Sequence, residues 1–543
     1  MHAHQGVSWF RSVAAVLSAS TWRVWWTSFV LFALLGGLWT FANPPFAAPD
    51  EPAHVIHAVA LDHGQLTGNE VSRRRLRELR LTDRQDYLIV RVPEIYGRAS
   101  DSLCFLHRQY VTAECLRFNG SKRDTDEGTY VARHPPGYYA LVGAVSLFGV
   151  PGSGTVYAMR IVSVLLSSAL VATAIAALRR SPAPRLLAAG LAIAITPMVL
   201  FVASTVNPSA PEIASSLAFW VCGLLLVRCA RERIDNWLVT AAGVAGCVLA
   251  LSRQLGPLWI AFSVLTMLGV TNRAALYNLA RSTKARLWAL FIAASCVTQV
   301  GWDLLVKPLD VSRSGNRPGN EAMTEIVRLT LGQTGIRYRE MIGWFGWLDT
   351  PAPALTWIAW TIVLGLILFA AVLWATRSQV ALLLGLVAAT IVVPVAIESA
   401  TFSDAGTFTW QGRYTLPLAV GVPILATHVL SLTERGRELA TTRFFVVVGV
   451  VAVGGHVLAF GQNLRRYTVG YDGPIQFWKD AKWLPPLSPL VLLVVFSVVV
   501  TIFICWLLVM MPRWQNTGQE GAGNTTDLEL EAMSVVVPTS SPE

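Results

Sequence analysis

The sequence predicts an all-α polytopic membrane protein: a bundle of about twelve transmembrane helices, with surface helices in its first outer loop. Three observations predict it. The chain is 54% hydrophobic and only 14% charged, with a mean hydropathy of +0.51, values outside the soluble globular range. Apolar runs long enough to cross a bilayer recur along the chain. The basic residues behind the net charge of +10 sit mostly in short loops between those runs, a topogenic pattern rather than a nucleic-acid footprint. Tryptophans flank the runs as interfacial anchors, among them Trp22, Trp25, Trp26, Trp39 and Trp237.

Residues 1–23 carry Arg11 and Arg23 and are expected in the cytoplasm. The first span, 24–42, lacks a small-residue cleavage site and reads as retained. A loop over 43–155 follows, too long and too charged for a simple connector. Its opening, Asn43 to Gly64, brings Asp50, Glu51, His54, His57 and His63 to a membrane surface. Pro44, Pro45 and Pro49 discourage helix up to Asp50, and Pro52 suits the first turn of a helix with Glu51 at its cap. An Asp held stiffly there is what a general base needs; a capped interfacial helix without chemistry fits the same residues. Cys104 and Cys115 share this loop, so a disulfide is expected if it lies outside the cytoplasm. The other five cysteines lie in or beside apolar runs as packing residues.

The apolar piece from Pro136 to Val150 is too short to span and reads as a surface helix. If it does not cross, the next span, 156–178, delivers Arg179, Arg180 and Arg185 to the cytoplasm. The remaining spans then alternate over 186–204, 212–227, 237–251, 255–270, 287–302, 354–375, 380–397, 414–432, 444–460 and 489–511. They complete a bundle over 156–511, with outer loops at 303–353, 398–412 and 461–488 and both termini in the cytoplasm. The acidic polar tail, 512–543, buries too little to fold, and the sequon at Asn524 has no meaning on that side.

The concentrated polar chemistry falls on the outer side: Asp50, Glu51, His134, Asn207, Arg253, Asp349, Asp404, Gln411 and Arg413. Arg413, opening a span before Tyr414, can clamp a lipid phosphate, or it can snorkel as an anchor. Arg253 between two apolar runs is costly unless a phosphate or carboxylate pairs with it. The aromatic stretch from Gly343 to Asp349 suits a sugar or an interfacial belt. His54 and His57, three apart, could hold a divalent metal, but the spacing is not a zincin signature. Phosphate-binding glycine loops, nucleophile elbows and Cys/His metal frameworks are absent from the sequence.

In order along the chain stand Pro49-Asp50-Glu51-Pro52-Ala53-His54, His134-Pro135-Pro136, Asn207-Pro208, Phe345-Gly346-Trp347-Leu348-Asp349 and Gln411-Gly412-Arg413-Tyr414. This set resembles the GT-C superfamily of membrane glycosyltransferases. Its order is similar to that in protein mannosyltransferases and in the aminoarabinose transferases that modify lipid A. More closely it resembles a bacterial family of predicted membrane proteins of unassigned function in that superfamily. The resemblance implies a GT-C-like bundle with an outer cavity in a bacterial plasma membrane. It implies transfer of a monosaccharide from a polyprenyl-phosphate donor to a glycan, lipid or protein acceptor outside the cytoplasm. Asp50 would be the base with Glu51 beside it, and His54, His134, Arg253, Asp349, Gln411, Arg413 and Tyr414 would bind substrate. Two departures stand out. The surface helix reads His-Pro-Pro-Gly-Tyr where lipid A transferases commonly have a basic residue and a leucine, and the sequence gives no expectation of a large C-terminal soluble domain of the kind that arabinan-building relatives carry. The competing class is a transporter or lipid-linked glycan flippase, which favours mid-membrane charges, broken helices and internal repeats.

Overall fold

A computed structural model describes residues 20–79, 81, 87–306, 323–405 and 408–509. The N-terminal 19 residues, most of the loop after Val306 and the acidic tail with Asn524 lie outside the described residues.

All twelve expected spans are helical. Nine described helices are long and apolar enough to cross a membrane. The segment expected over 186–204 is a helix pair, Pro184–Ala194 and Pro197–Ala203, bent by 68°. Pro197 explains the break, because its ring cannot continue the preceding helix. Two more expected spans, Asn236–Ser252 and Gly256–Val270, are only 17 and 15 residues long. The full count of twelve crossings is therefore not reached by length alone.

The first helix, Thr21–Ala42, packs along Ser153–Ala177 and against Pro489–Leu508. A Cβ on Gly36 would come 2.7 Å from a Val164 methyl, so this glycine lets the first two helices approach closely. The expected span 444–460 is one end of a longer helix, Thr442–Val469, which takes Arg465 and Arg466 into helix rather than loop. The expected loop after Ile397 is likewise helix as far as Ala405, and this brings Glu398 into the protein interior.

Over one end of the bundle sits a cap with its own core. Helix Glu51–Asp62 packs against Pro136–Gly143 and against an antiparallel pair, Leu88–Pro93 with Asp124–Thr129. Val55, Val59, Tyr96, Phe105, Tyr139 and Val142 fill the space between them. Cys104 and Cys115 are disulfide-bonded in this cap. The piece expected as a helix from Pro136 to Val150 is α-helical to Gly143 and then a 3-10 turn, Ala144–Leu147.

Two buried arginines fasten the cap to the span ends. Arg160, on Ser153–Ala177, donates to both carboxylate oxygens of Glu51 at 2.7 and 2.6 Å. It also donates to the carbonyls of Thr40, Asn43 and Pro44. Arg466 donates to the carbonyls of Phe105, Arg108 and Val111 and to Asp349 Oδ2 at 2.8 Å. Each cation thus has a carboxylate and several carbonyls, which is what makes a buried charge tolerable.

Two predictions follow from these packings. Glu51→Gln should lower stability by about 3–5 kcal/mol because it leaves Arg160 uncompensated. Melting in detergent checks this, and Glu51→Gln combined with Arg160→Met should recover part of the loss. The second concerns Glu127 on the ribbon, whose carboxyl is raised to about 7 by burial, partly opposed by its hydrogen bond from Thr125. A raised carboxyl destabilises the fold once it ionises, so the melting temperature should fall as pH rises from about 4.5 to 7. Glu127→Gln should flatten that slope.

Candidate functional site

The proline-rich turn ends at Asp50, whose backbone is left-handed with φ 67°. Asp tolerates this region better than most residues, at a cost of order 1 kcal/mol. The consequence is directional. Asp50, not Glu51, occupies the cap position, and its side chain makes no capping bond. The carboxylate instead receives the Tyr130 hydroxyl at 2.7 Å on one oxygen and Arg413 Nη2 at 2.5 Å on the other. Arg413 is almost fully buried, whereas the Asp50 side chain keeps 23% of its surface. Asp50 is therefore reachable and held from two sides.

Arg413 stands at the start of helix Gly412–Ala419 and also donates to the Tyr414 hydroxyl at 3.1 Å. The close packing of Gly412 positions it. A Cβ there would lie 2.4 Å from the Arg337 carbonyl and 2.6 Å from Glu340 Cβ. The Gly412 amide donates to Glu340, which is paired with Arg337.

Beside this pair lies a cavity of about 280 Å³ lined by His134, Glu212, Arg253, Trp410 and Tyr414 among others. Asp50 does not line it. The Asp50 carboxylate is one ion pair away, through Arg413 and the Tyr414 hydroxyl. The Arg253 guanidinium stacks 4.4 Å over the Tyr414 ring, donates to Ser209 Oγ at 2.8 Å and sits 3.9 Å from Glu212 Oε2. The carboxylate partner that the sequence demanded for Arg253 is thus Glu212, at a distance that leaves the guanidinium available to a further anion.

The wall behind the cavity is a chain of neutral rings. The Tyr139 hydroxyl lies 2.8 Å from His54 Nδ1 and 3.2 Å from His134 Nδ1. A phenol has one proton, so it donates to one imidazole and accepts from the other. Burial, then the Arg253 charge, pushes the His134 imidazole down to about 3. Burial and then His134, Arg413 and Arg253 hold His54 well below its ordinary value. Both rings are neutral at physiological pH. Burial and the Asp50 charge push Tyr130 well above its usual range, so it remains a donor to the carboxylate.

Of the residues singled out in the sequence, the structure brings together Asp50, His54, His134, Arg253, Arg413 and Tyr414. It does not bring in Glu51 or Asp349. Glu51 is fully buried, and Arg160 and the Val206 amide occupy its oxygens, so it does not face the cavity. Asp349 is clamped by Arg466 and by the Thr350 hydroxyl. Gln411 caps the Gly412 helix, with its backbone carbonyl accepting from the Tyr414 amide. The His54 and His57 pair packs around Tyr139, whose ring is 4.4 Å from His57. Among the described residues, no group of three His, Cys, Asp or Glu is arranged to hold a metal. The side chain of Asp404 lies outside the described residues.

Sequence reading missed Tyr130, Tyr139, Glu212 and Trp410. Glu212 had a visible signal, an acid at the mouth of an apolar run just after Asn207-Pro208. The tyrosines had only their nearness to His134-Pro-Pro.

The Asp50–Arg413 contact can be weighed by a double-mutant cycle of Asp50→Asn and Arg413→Gln, read by melting in detergent. The two losses should be non-additive, with a coupling of at least about 1 kcal/mol, because each change orphans the other partner.

A search of curated proteins finds no match. Among solved structures, one similar to this chain is that of ArnT from Cupriavidus metallidurans bound to undecaprenyl phosphate. The two are 14% identical, with a TM-score of 0.39, over 95% of this chain and 81% of that one. The family model that matches is described as "Predicted membrane protein (DUF2142)" and spans residues 32–422. That span exceeds half of the chain and takes in every residue of the site, and the chain belongs to this family.

Proposed function

We propose that the protein is a membrane glycosyltransferase that moves a monosaccharide from a polyprenyl-phosphate donor to an acceptor hydroxyl on the outer side of the membrane. The observation that carries the reading is a pair of cavities sharing one wall. The polar cavity beside Asp50 and Arg413 is lined by Ile397, Thr409 and Trp410. On the other side of that wall, Glu398 and Thr415 line an apolar cavity of about 440 Å³. Leu364, Leu368, Ile391 and Val395 of helices Ala354–Trp374 and Arg377–Ala405 form its apolar side. Between the two, Glu398 accepts the Thr409 and Trp410 amides and pairs with Arg337. A ligand with an anionic head and a long hydrocarbon tail matches this division. The sequence motifs that resemble GT-C transferases supply the choice of donor.

In this reading the acceptor oxygen attacks the anomeric carbon as Asp50 takes its proton. The bond from that carbon to the phosphate oxygen breaks, and the polyprenyl phosphate leaves with the electron pair. Arg253 meets the charge that develops on the phosphate. Arg413 is bound to Asp50, so its part is to orient the carboxylate rather than to hold the phosphate alone. The attack comes from the face opposite the leaving group, and the sugar inverts. The outward orientation is supported by the loops at the opposite end of the bundle, which carry Arg228, Arg231, Arg233, Arg273 and Arg281.

The broken span at Pro184–Ala203 is the feature that would favour a transporter. Its loosened backbone is already occupied. His456 Nε2 lies 3.1 Å from the Ile195 carbonyl, Trp360 donates to the Ile193 carbonyl, and the Thr196 hydroxyl donates to Met341. Side chains thus take the Ile193 and Ile195 carbonyls at the break, which favours the transfer reading.

Purified protein in nanodiscs should transfer label from one member of a panel of polyprenyl-phosphate sugars. Asp50→Asn should lower that rate by at least about a hundredfold at a temperature well below its melting transition, so that the loss of the Arg413 contact does not account for it. Full activity in a folded Asp50→Asn protein would refute the assignment.

A further inference from the structure

At the other end of the bundle, the same two spans that carry Glu212 and Arg413 open into a second polar cavity. Helix Ser209–Cys229 is 21 residues long, so its far end lies about 30 Å from the candidate site. The cavity there is about 920 Å³, between the ends of Ser209–Cys229 and Gly421–Ser431 and the start of Arg377–Ala405. Its charged lining is Arg228, Arg231, Arg233 and Arg437 against Glu232 and Asp235.

The acids do not balance the cations. Asp235 is committed elsewhere: it accepts from Arg180 at 2.9 Å and from the backbone amides of Trp237 and Leu238. Arg180 in turn stacks 4.0 Å over Trp237, which fixes that wall. Arg437 donates to the Ser431 carbonyl. Among the described residues, Arg228, Arg231 and Arg233 make no ion pair, which leaves Glu232 alone against them. A basic loop of this kind satisfies topology without a cavity. Here the arginines surround a space large enough for a headgroup, at the depth where spans end.

We infer that this cavity binds a phosphate-bearing headgroup on the face of the membrane opposite the transfer site. Several guanidinium groups lining one space suit phosphate oxygens, which they can grip by paired hydrogen bonds. Ile234 and Leu432 add apolar surface to the lining, against which the glycerol or acyl part of a lipid can pack. A soluble phosphate compound offers the same chemistry, and the test separates the two. The inference does not depend on the transfer reaction; it needs only that these spans end at a membrane surface.

The test uses full-length protein in detergent with defined mixed micelles, read by native mass spectrometry and by melting. Phosphatidylglycerol and cardiolipin should bind and raise the melting temperature, and phosphatidylcholine should not. Arg231→Gln combined with Arg233→Gln should weaken anionic-lipid binding by about tenfold or more. Both side chains are exposed, so the fold should persist. Arg281→Gln, which removes an exposed charge outside the cavity, should leave binding unchanged. Inorganic pyrophosphate that stabilises wild type but not the double variant, with no lipid effect, would assign the site to a soluble phosphate. Equal binding of lipid and of pyrophosphate by the double variant and wild type would overturn the inference.

Discussion

Everything at the candidate site hangs on a buried ion pair that is set back from the cavity. Arg160 lies inside a membrane helix, where a lone guanidinium would be costly. Glu51 neutralises it, and three carbonyls from the end of the first span and the turn beyond it use its remaining donors. That arrangement welds the first span, the proline turn and the second long span together. With Glu51 locked inward, its neighbour Asp50 has a single remaining direction. The left-handed backbone at Asp50 is the visible cost of pointing two adjacent carboxylates opposite ways.

The same logic sorts the charged residues of the capped end into two groups. Glu51, Arg160 and Arg466 are enclosed, Asp349 is half-buried beside Arg466, and their ion pairs hold the cap on the bundle. Asp50 and Arg253 are partly exposed, at 23% and 22% of their side-chain surface, and each keeps an open side. Neutral rings fill the space between. His54 and His134 are buried beside arginines and cannot charge without great cost, so they bring hydrogen bonding without adding to the positive field. An anionic ligand in the cavity therefore meets the Arg253 guanidinium, and the partly exposed Asp50 carboxylate stands beside that cavity.

Helices were legible in the sequence because burial in lipid demands long apolar runs, and every such run is helical. The position of the site was legible too, since Asp50, His134, Arg253 and Arg413 were each singled out and do converge. Partnership was not legible. Asp50 and Arg413 are 363 residues apart, and Glu51 and Arg160 are 109 apart, so nothing local tells which acid takes which base. Two adjacent acids looked like one motif, and only packing separates the structural one from the oriented one. Arg160 was hidden inside an apolar run, although a charge in such a place is itself a signal. The break at Pro197 was also readable, from a proline within a run otherwise long enough to span.

The most direct measurement of the central claim is the affinity of the protein for polyprenyl phosphate in nanodiscs, wild type against Arg253→Gln. If the two cavities form one site for an anionic head and a prenyl tail, Arg253→Gln should weaken binding by about tenfold or more, and shortening the prenyl chain should weaken it further. Equal affinity in the variant, or no dependence on chain length, would contradict the account.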